Sequence, residues 1–313
     1  MTTTAEKLLN IFISNENQWV SGESLAHELS VTRAAVWKAI NKLSDLGFKI
    51  ESQRGLGYRY TANEKMSVKG IQHLLTSPLS IRVFDTLEST NKQGKIGLVS
   101  GDITEPTVII SNIQTHGVGH LGRTFFSPSQ TGLYMSIALP VSVQTQVMPN
   151  LLTLGTAISV AKSIHNLFGK TIQFKWMNNL CLENKKIGGI LTEGMISFET
   201  NTYSGIVVGI GLNLVPTHEI SSTKINAITD KLTISRNQIA ATIIQDFFDM
   251  YNDYKTGYFL TDYRQKLIGL GQFVSIQTPT GEISGTLSTV TNEGTLILET
   301  KDGTITFNNG EML

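Results

Sequence analysis

The sequence predicts an α/β (α+β) protein with a small helical unit first, a mixed α/β region next and short strands last. Short helical stripes end before residue 65, apolar β-branched runs then alternate with longer helices, and turn residues divide the strands that follow Gln272. A chain of 313 residues with 40% hydrophobic content can bury more than one core. We therefore expect domains at residues 1–64, 65–268 and 269–313.

The first 64 residues show the order of a winged helix-turn-helix. One helix carries an apolar stripe, and Ser21 and Thr32 are candidate N-caps of a second and a third helix. Gly47 suits the end of the third helix. Two short strands then meet at Gln53–Gly55, where they form a predicted wing. The apolar positions of the first and third helices are Leu8, Leu9, Phe12, Ile13, Val36, Ile40 and Leu43.

Positive charge is concentrated on the third helix and the wing. Residues 30–60 hold six Lys or Arg against two acids, a net of +4, whereas residues 1–29 hold one Lys against four Glu, a net of −3. This asymmetry favours DNA binding. Because a single helix-turn-helix unit contacts few base pairs, we expect a dimer that binds two half-sites. A protein-interaction module is the alternative. The candidate DNA-binding residues are Thr32, Arg33, Trp37, Lys38, Lys42 and Arg54.

Three predicted strands in the middle of the chain carry the most informative residue. They are Gln173–Leu180, Lys185–Glu193 and Ile206–Leu214, with a turn at Glu183–Asn184. Lys186 enters the second strand among core-like residues, where an ammonium needs an anion or a lowered pKa. Glycines beside it allow a ligand or another backbone to come close. A lysine that reaches solvent from a strand edge is the alternative.

These strands resemble one family, the biotin protein ligases, including the bacterial members that also act as the biotin operon repressor. The resemblance rests on three motifs and extends through nearly all of the chain. The motifs are Lys175-Trp-Met-Asn-Asn179, Lys186-Ile-Gly-Gly-Ile-Leu-Thr-Glu193 and Gly209-Ile-Gly-Leu-Asn213. It implies a central mixed α/β biotin/lipoate ligase-like domain and a C-terminal SH3-like β-barrel.

A glycine-rich segment, Gln114–Arg123, follows an apolar strand. It fails as a dinucleotide fingerprint because Phe125–Pro128 is extended rather than helical. Its histidines, His116 and His120, are four residues apart, but interleaved glycines argue against a helical metal pair. A loop that wraps an anion is the preferred interpretation. Residues 106–182 contain no Asp or Glu, which favours a site for a polyphosphate, although a buried core also lacks acids.

The resemblance also assigns roles to individual residues. It implies that Lys186 and Arg123 are catalytic and that Lys186 neutralises the acyl phosphate. Without it, Ser89 is simply a helix cap. The implied biotin-binding residues are Ser89, Thr90, Asn91, Gln114, Val118, Gly119, His120 and Lys186. The implied nucleotide residues are Gly117, Gly122, Arg123, Phe125, Asn178, Asn179 and Asn213.

The chain departs from the family pattern at five positions. Val118 and His120 replace arginines, so we expect the loop to bind the acyl phosphate more weakly. We expect this binding to strengthen only at a pH where His120 is charged. Asn179 replaces an aspartate near the acceptor amine, which puts amide transfer in doubt. Phe125 replaces a tryptophan, and Met177 replaces a proline.

The rest of the chain excludes several classes. No apolar run approaches a membrane span and no leader opens the chain, so we expect a soluble cytoplasmic protein without a membrane partner. The single Cys181 excludes an intramolecular disulfide, and we expect it to be a small hydrophobe rather than a nucleophile. Polar residues 217–224 predict a second loop at the site.

Taken together, the resemblance implies an ATP-dependent biotin ligase and a biotin-responsive transcriptional repressor. Biotin and ATP, with Mg²⁺, would form biotinyl-5′-AMP, and a lysine on the biotin carboxyl carrier domain of a carboxylase would accept the acyl group. The loaded protein would bind operator DNA as a homodimer. Two alternatives remain open: a biotin-sensing repressor with little or no transfer activity, and a lipoate or other acyl ligase.

Overall fold

The computed structural model describes residues 3–45, 48–61, 66–142, 144–197, 199, 201–217, 225–278 and 281–313. The predicted helix end at Gly47 and most of the predicted loop, residues 218–224, lie outside these ranges, as does the side chain of Ile13. The chain forms two compact units. One comprises residues 1–75 with 233–241, and the other comprises residues 76–232 with 242–313.

The first unit has the predicted winged helix-turn-helix order. Strands β1, β3 and β2 pair in that order as an antiparallel sheet. Both predicted caps are confirmed: Ser21 Oγ accepts from the Ser24 amide at 3.0 Å, and Thr32 Oγ1 accepts from the Ala35 amide at 3.2 Å. Its elements are α1 Thr4–Ser14, β1 Trp19–Val20, α2 Gly22–Glu28, α3 Arg33–Asp45, β2 Lys49–Gln53, β3 Gly57–Thr61 and α4 Val68–Gln72.

The apolar stripes of α1 and α3 face each other in the core of this unit. Leu8, Phe12 and Leu43 are fully buried there, and Tyr60 of β3 closes the core from the wing side. Burial of this apolar surface orients α3, since a helix with one apolar face presents its polar face to solvent. The basic face of α3 is therefore exposed.

A seven-stranded mixed sheet forms the centre of the second unit. Its order is β4-β5-β6-β10-β9-β8-β7, and β4 and β5 are the one parallel pair among the described strands. The strands are β4 Ser80–Leu87, β5 Thr107–Gln114, β6 Gly132–Pro140, β7 Gln173–Lys175, β8 Asn179–Leu182, β9 Lys185–Ser197 and β10 Thr202–Asn213. The helices are α5 Thr90–Ser100, α6 Pro149–Phe168, α8 Leu260–Gln265 and the part of α7 (Arg236–Asp253) that follows residue 241.

The register of the sheet brings the predicted motifs into one row. Asn179 lies opposite Gly189, Gly189 opposite Gly211, and Gly211 opposite Tyr134. The predicted turn between β8 and β9 is confirmed, because Glu183 and its neighbour both have positive φ, as type I′ hairpins require. Helix α5 packs on β5, β6 and β10, and α6 packs on β9.

A second antiparallel sheet ends the chain, in the order β14-β13-β12-β11-β15. The short strands expected after Gln272 are present, and the described residues form five of them. Trp176, fully buried, donates from Nε1 to the Gly294 carbonyl at 3.4 Å, which links the two sheets of this unit. The strands are β11 Phe273–Thr278, β12 Gly281–Val290, β13 Leu296–Thr300, β14 Gly303–Phe307 and β15 Glu311–Met312.

Candidate active site

A cavity that encloses about 470 Å³ lies between the start of α5, the segment after β5 and the central sheet. We call it the central cavity. Most of the sequence-predicted site residues line it, namely Ser89, Thr90, Asn91, Gln114, Val118, Gly119, His120, Phe125, Asn178 and Lys186. The structure does not place the other predicted residues in its wall; these are Gly117, Gly122, Arg123, Asn179 and Asn213.

Several wall residues were missed by sequence reasoning. Tyr134 and Met135 come from β6, whose run of apolar residues indicates a buried strand and gives no sign of a cavity. Ile190 and Leu191 belong to a predicted motif strand, but nothing in their side chains marks them as wall residues. The signal that could have found them is their place beside the motif glycines.

Buried hydrogen bonds fix the polar end of the cavity. Gln114 Oε1 accepts from the Thr90 amide at 2.8 Å and from Thr90 Oγ1 at 3.2 Å. Ser136, which is fully buried, donates from Oγ towards Thr90 Oγ1 and Asn91 Oδ1, both at 2.6 Å. Because every member of this network is bonded, the side chains keep one arrangement before a ligand binds.

Asn91 has less capacity for a ligand than its motif suggests. Its Nδ2 donates to Glu193 Oε2 at 2.8 Å and to the Leu191 carbonyl at 3.3 Å, so both amide protons are used. Ser89 Oγ accepts weakly from the Lys92 amide at 3.5 Å as the cap of α5. The predicted cap is thus present, and the Ser89 hydroxyl proton remains available to a ligand.

The motif glycines make room for site side chains. A Cβ at Gly209 would lie 2.2 Å from Asn91 Oδ1, and a Cβ at Gly211 would lie 2.7 Å from the Phe125 ring. The Phe125 ring in turn packs edge-on against Tyr134, with centroids 6.3 Å apart. The groups that come close to these glycines are therefore side chains of the cavity wall, Asn91 and Phe125, rather than a ligand.

Lys186 is partly buried in the wall of the central cavity. Burial lowers the pKa of its ammonium, the negative charge of Glu311 opposes that shift, and the charge of Arg123 adds to it. Within the described ranges the ammonium makes no salt bridge, so its charge is available to an anion in the cavity. A cation desolvated in this way interacts strongly with a negative ligand.

The glycine-rich segment folds back on itself. The Gly119 amide donates to the Arg123 carbonyl at 2.7 Å, and the Phe125 amide donates to the Gly117 carbonyl at 2.8 Å. These two amides are occupied by the protein's own carbonyls. That the remaining backbone of this loop wraps an anion stays a prediction. The segment contributes Val118 and the side chain of His120 to the cavity.

Arg123 pairs with the C-terminal strand. Its Nη1 lies 2.6 Å from Glu311 Oε1, while the second carboxylate oxygen of Glu311 is buried without a hydrogen-bond partner among the described residues. Sequence analysis did not assign Glu311 a role. It is separated from Arg123 by 188 positions, and only tertiary structure joins the two.

Three predicted asparagines have different surroundings. Asn178 lines the central cavity, whereas Asn179 Oδ1 is buried without a hydrogen-bond partner in the described part of the chain. Asn213 donates from Nδ2 to the Asn226 carbonyl at 3.3 Å. It lines a separate cavity of about 310 Å³ with Pro216 and Ala227, next to the predicted second loop.

A wide groove adjoins the central cavity and shares His120, Asn178, Ile190 and Leu191 with it. We call it the lateral groove. The start of α6 and the turns of the C-terminal sheet form its other walls. Burial lowers the pKa of His120 below its ordinary value. The negative charge of Glu311 opposes this shift, and the cations Lys186 and Arg123 add to it. His120 is therefore neutral at neutral pH.

Two alternatives from the sequence find no support here. Cys181 is buried, and burial raises the pKa of its thiol, which makes a thiolate nucleophile unfavourable. In the ranges that the structure describes, no group of three or more His, Cys, Asp or Glu side chains could hold a metal ion. His116 is exposed and contacts its neighbour Thr115, away from the central cavity.

The first unit presents the predicted DNA-binding residues to solvent. All of Thr32, Arg33, Trp37, Lys38, Lys42 and Arg54 are exposed, and the large Trp37 side chain is 56% exposed. Arg59 is occupied, because its Nη2 lies 2.5 Å from Glu51 Oε2 and its guanidinium lies over the Trp19 ring. The charge available for phosphates is therefore concentrated on α3 and the wing tip.

Comparison with known proteins agrees with this architecture. Residues 4–59 match the HTH domain model, residues 83–213 match the biotin/lipoate A/B protein ligase family, and residues 269–313 match the biotin protein ligase C-terminal domain. The prediction of a biotin protein ligase with an N-terminal helix-turn-helix domain is confirmed.

Two relatives, both named as bifunctional ligase/repressors, match along almost the whole chain. The bifunctional ligase/repressor BirA of Bacillus subtilis is 28% identical over 96% of this chain and 96% of its own length. The BirA of Escherichia coli is 28% identical over 97% of this chain and 94% of its own. The biotin protein ligase of Aquifex aeolicus, solved with biotin and ATP, shares the fold: its TM-score is 0.59 at 24% identity, over 75% of this chain and 97% of that one.

Proposed function

We propose that this protein is an ATP-dependent biotin–[biotin carboxyl carrier protein] ligase and a biotin-responsive repressor. The observation that carries the proposal is the ammonium of Lys186, which has no salt-bridge partner within the described ranges and lies in the same cavity as Ser89, Thr90 and Gln114. A neutral urea needs both donors and acceptors, and a developing anhydride needs a cation. The central cavity supplies both.

In the activation step the biotin carboxylate attacks the α-phosphate of ATP and pyrophosphate leaves. Lys186 stabilises the negative charge on the carboxylate and phosphate oxygens, and such charge stabilisation is commonly the largest catalytic contribution. Arg123 reaches the phosphates when it leaves Glu311. Val118, Gly119 and Phe125 cover the acyl part, since they line the cavity.

Asn178 supplies a polar contact to the adenylate from the wall of the central cavity. Asn213, which lines the separate cavity, stays a predicted nucleotide contact. Mg²⁺ would enter with the phosphates of ATP and would supply charge neutralisation at the phosphate oxygens. Biotinyl-5′-AMP then remains in the cavity until an acceptor arrives.

The three predicted segments divide this work. The segment 1–64 binds operator DNA through the exposed residues of α3 and the wing. The segment 65–268 holds biotin and ATP. The segment 269–313 contributes Glu311, whose carboxylate acts on Lys186 and Arg123. We propose that the loaded protein binds DNA as a homodimer, because one α3 reads few base pairs. ATP use and DNA binding place it in the cytoplasm. No helix in the described ranges could span a membrane.

A second candidate is a biotin-sensing repressor with little or no transfer activity. Two features favour it. Asn179 has an amide, which cannot deprotonate the acceptor amine. Arg123 forms an ion pair with Glu311, so its charge is not directed at the phosphates. A site of this kind would bind and activate biotin without passing it on.

Two assays on the full chain separate the candidates. Biotin-dependent exchange between ATP and pyrophosphate measures activation, and labelling of a biotin carboxyl carrier domain measures transfer. The ligase predicts both activities. Exchange without labelling would favour the sensor, and exchange with lipoate in place of biotin would indicate a different acyl ligase.

A further inference from the structure

One side chain lies in the wall shared by the central cavity and the lateral groove. His120 is the titratable residue that, among those the structure describes, lines both spaces. Of the two spaces, the lateral groove is the more open to solvent, so it offers the wider approach to another protein. An acceptor lysine that enters by the groove therefore meets His120 at the boundary.

The imidazole of His120 has free hydrogen-bonding capacity. Its Nδ1 is buried and has no hydrogen-bond partner within the described residues. A neutral imidazole has one donor nitrogen and one acceptor nitrogen, so a ring whose Nδ1 has no partner among the described residues keeps the capacity to take a proton. A histidine kept only to pack the wall would satisfy its buried nitrogen.

The charges that face His120 suit a base. Burial lowers its pKa, and the neighbouring cations Lys186 and Arg123 lower it further. The carboxylate of Glu311 acts in the other direction. The ring is therefore uncharged before the reaction, and Glu311 stabilises the imidazolium that forms when the ring accepts a proton.

We propose that His120 is the general base of acyl transfer and that the acceptor lysine reaches it through the lateral groove. This inference rests on the proposed ligase function. The lysine nitrogen attacks the acyl carbon of biotinyl-5′-AMP and a C–N bond forms. The C–O bond to the phosphate breaks, AMP leaves with that oxygen, and the proton of the attacking nitrogen passes to the unprotonated ring nitrogen of His120.

Other groups near the path are poorer bases. Asn179 has an amide, which does not accept a proton at neutral pH. Lys186 acts on the phosphate as a cation, and deprotonation would remove that charge. Glu293 lines the lateral groove but not the central cavity, so it lies outside the space where the acyl group is held.

The test starts from preformed biotinyl-5′-AMP bound to excess enzyme, so activation is bypassed. Single-turnover transfer is measured to a carrier-domain lysine and to methoxyamine, whose weakly basic nitrogen gives up its proton to water once bonded. His120→Gln should slow transfer to lysine by about 100-fold, within the range of general base catalysis. Transfer to methoxyamine should change by less than about 3-fold, because that nucleophile needs no base.

His116→Gln is the matched control, since His116 lies in the same segment but outside both spaces. It should leave both transfer rates unchanged. In a second measurement, Glu311→Gln should move the acid limb of the lysine-transfer pH profile to lower pH, because the charge that raises the pKa of His120 is removed.

Three results would overturn the proposal. The first is an equal loss of transfer rate to both nucleophiles in His120→Gln, and the second is no loss of the rate to lysine in that variant. The third is a loss confined to lysine transfer in Glu293→Gln instead. Failure of the ligase function would look different. In that case the wild-type protein would show neither pyrophosphate exchange nor labelling, whereas failure of this inference alone leaves both intact.

Discussion

Asn91 of helix α5 lies directly over Gly209 of strand β10, so closely that a Cβ at residue 209 would be 2.2 Å from Asn91 Oδ1. The same oxygen accepts from Ser136 Oγ at 2.6 Å. The glycine therefore sets the position of the whole polar end of the central cavity, without itself offering a group to the ligand.

Gly209→Ala should weaken biotin binding. The added methyl displaces Asn91 and its partner Ser136. Overpacking of this kind costs about 1–3 kcal/mol, which corresponds to roughly 5-fold to 150-fold if the cost falls on the bound state. Gly205→Ala on the same strand is the control, because a Cβ there first meets the flexible end of Met195. Calorimetric titration with biotin compares them, and equal affinities in both variants would contradict the role given to Gly209.

Arg123→Ala should reduce pyrophosphate exchange much more than stability. The Arg123 side chain is 57% exposed, and ion pairs at such positions contribute only about 0–1 kcal/mol to folding. Loss of one charge-assisted contact to the phosphates should slow exchange by about 10-fold or more. Urea unfolding and exchange are measured side by side.

The matched control for Arg123 is Arg82→Ala, which breaks another surface pair, with Asp102, outside the site. It should leave exchange unchanged. An Arg123→Ala variant with normal exchange and reduced stability would show that the arginine is structural.

Retention of biotinyl-5′-AMP should be flat from about pH 7 to 8 and should tighten only at acidic pH. A charged His120 attracts the acyl phosphate, but burial lowers its pKa from the ordinary value, so the charged form appears only below about 6.5. A histidine at its ordinary pKa of about 6.5 would instead loosen its hold on the adenylate as the pH rises from about 6 to 8. Dissociation rates are measured by chase with unlabelled biotin, and a rise between pH 7 and 8 that His120→Gln abolishes would contradict it.

Lys38→Ala should weaken operator binding and reduce its salt dependence. Each phosphate contact contributes about 0.9 to the slope of log K against log salt, so loss of one should lower the slope by about one. Lys49→Ala is the control, because its ammonium lies 3.9 Å from Glu51 in the wing. Binding is measured by fluorescence anisotropy at several salt concentrations; an unchanged slope in Lys38→Ala would argue against α3 as the reading helix.

Local signals explain which parts of the fold could be predicted. The helix caps at Ser21 and Thr32 and the hairpin turn at Glu183–Asn184 depend on a few adjacent residues, and all three are present in the structure. The apolar stripe of α3 is equally local. These features follow from backbone chemistry that acts over a few positions.

Long-range pairings explain what could not be predicted. The contact of Arg123 with Glu311 joins positions 188 apart, and the Ser136 network depends on which strand lies beside α5. The shifted pKa of His120 likewise depends on burial and on Glu311. No spacing rule within the sequence carries such information, because each pairing is a property of the assembled sheet.

The central claim is that the ammonium of Lys186 stabilises the charge formed when biotin is activated. Biotin-dependent pyrophosphate exchange by Lys186→Gln tests it most directly, with Lys185→Gln, the exposed neighbour, as the control. Removal of such a charge contact should slow exchange by about 100-fold or more in Lys186→Gln and leave the control at the wild-type rate. Exchange at the wild-type rate in Lys186→Gln would contradict the account.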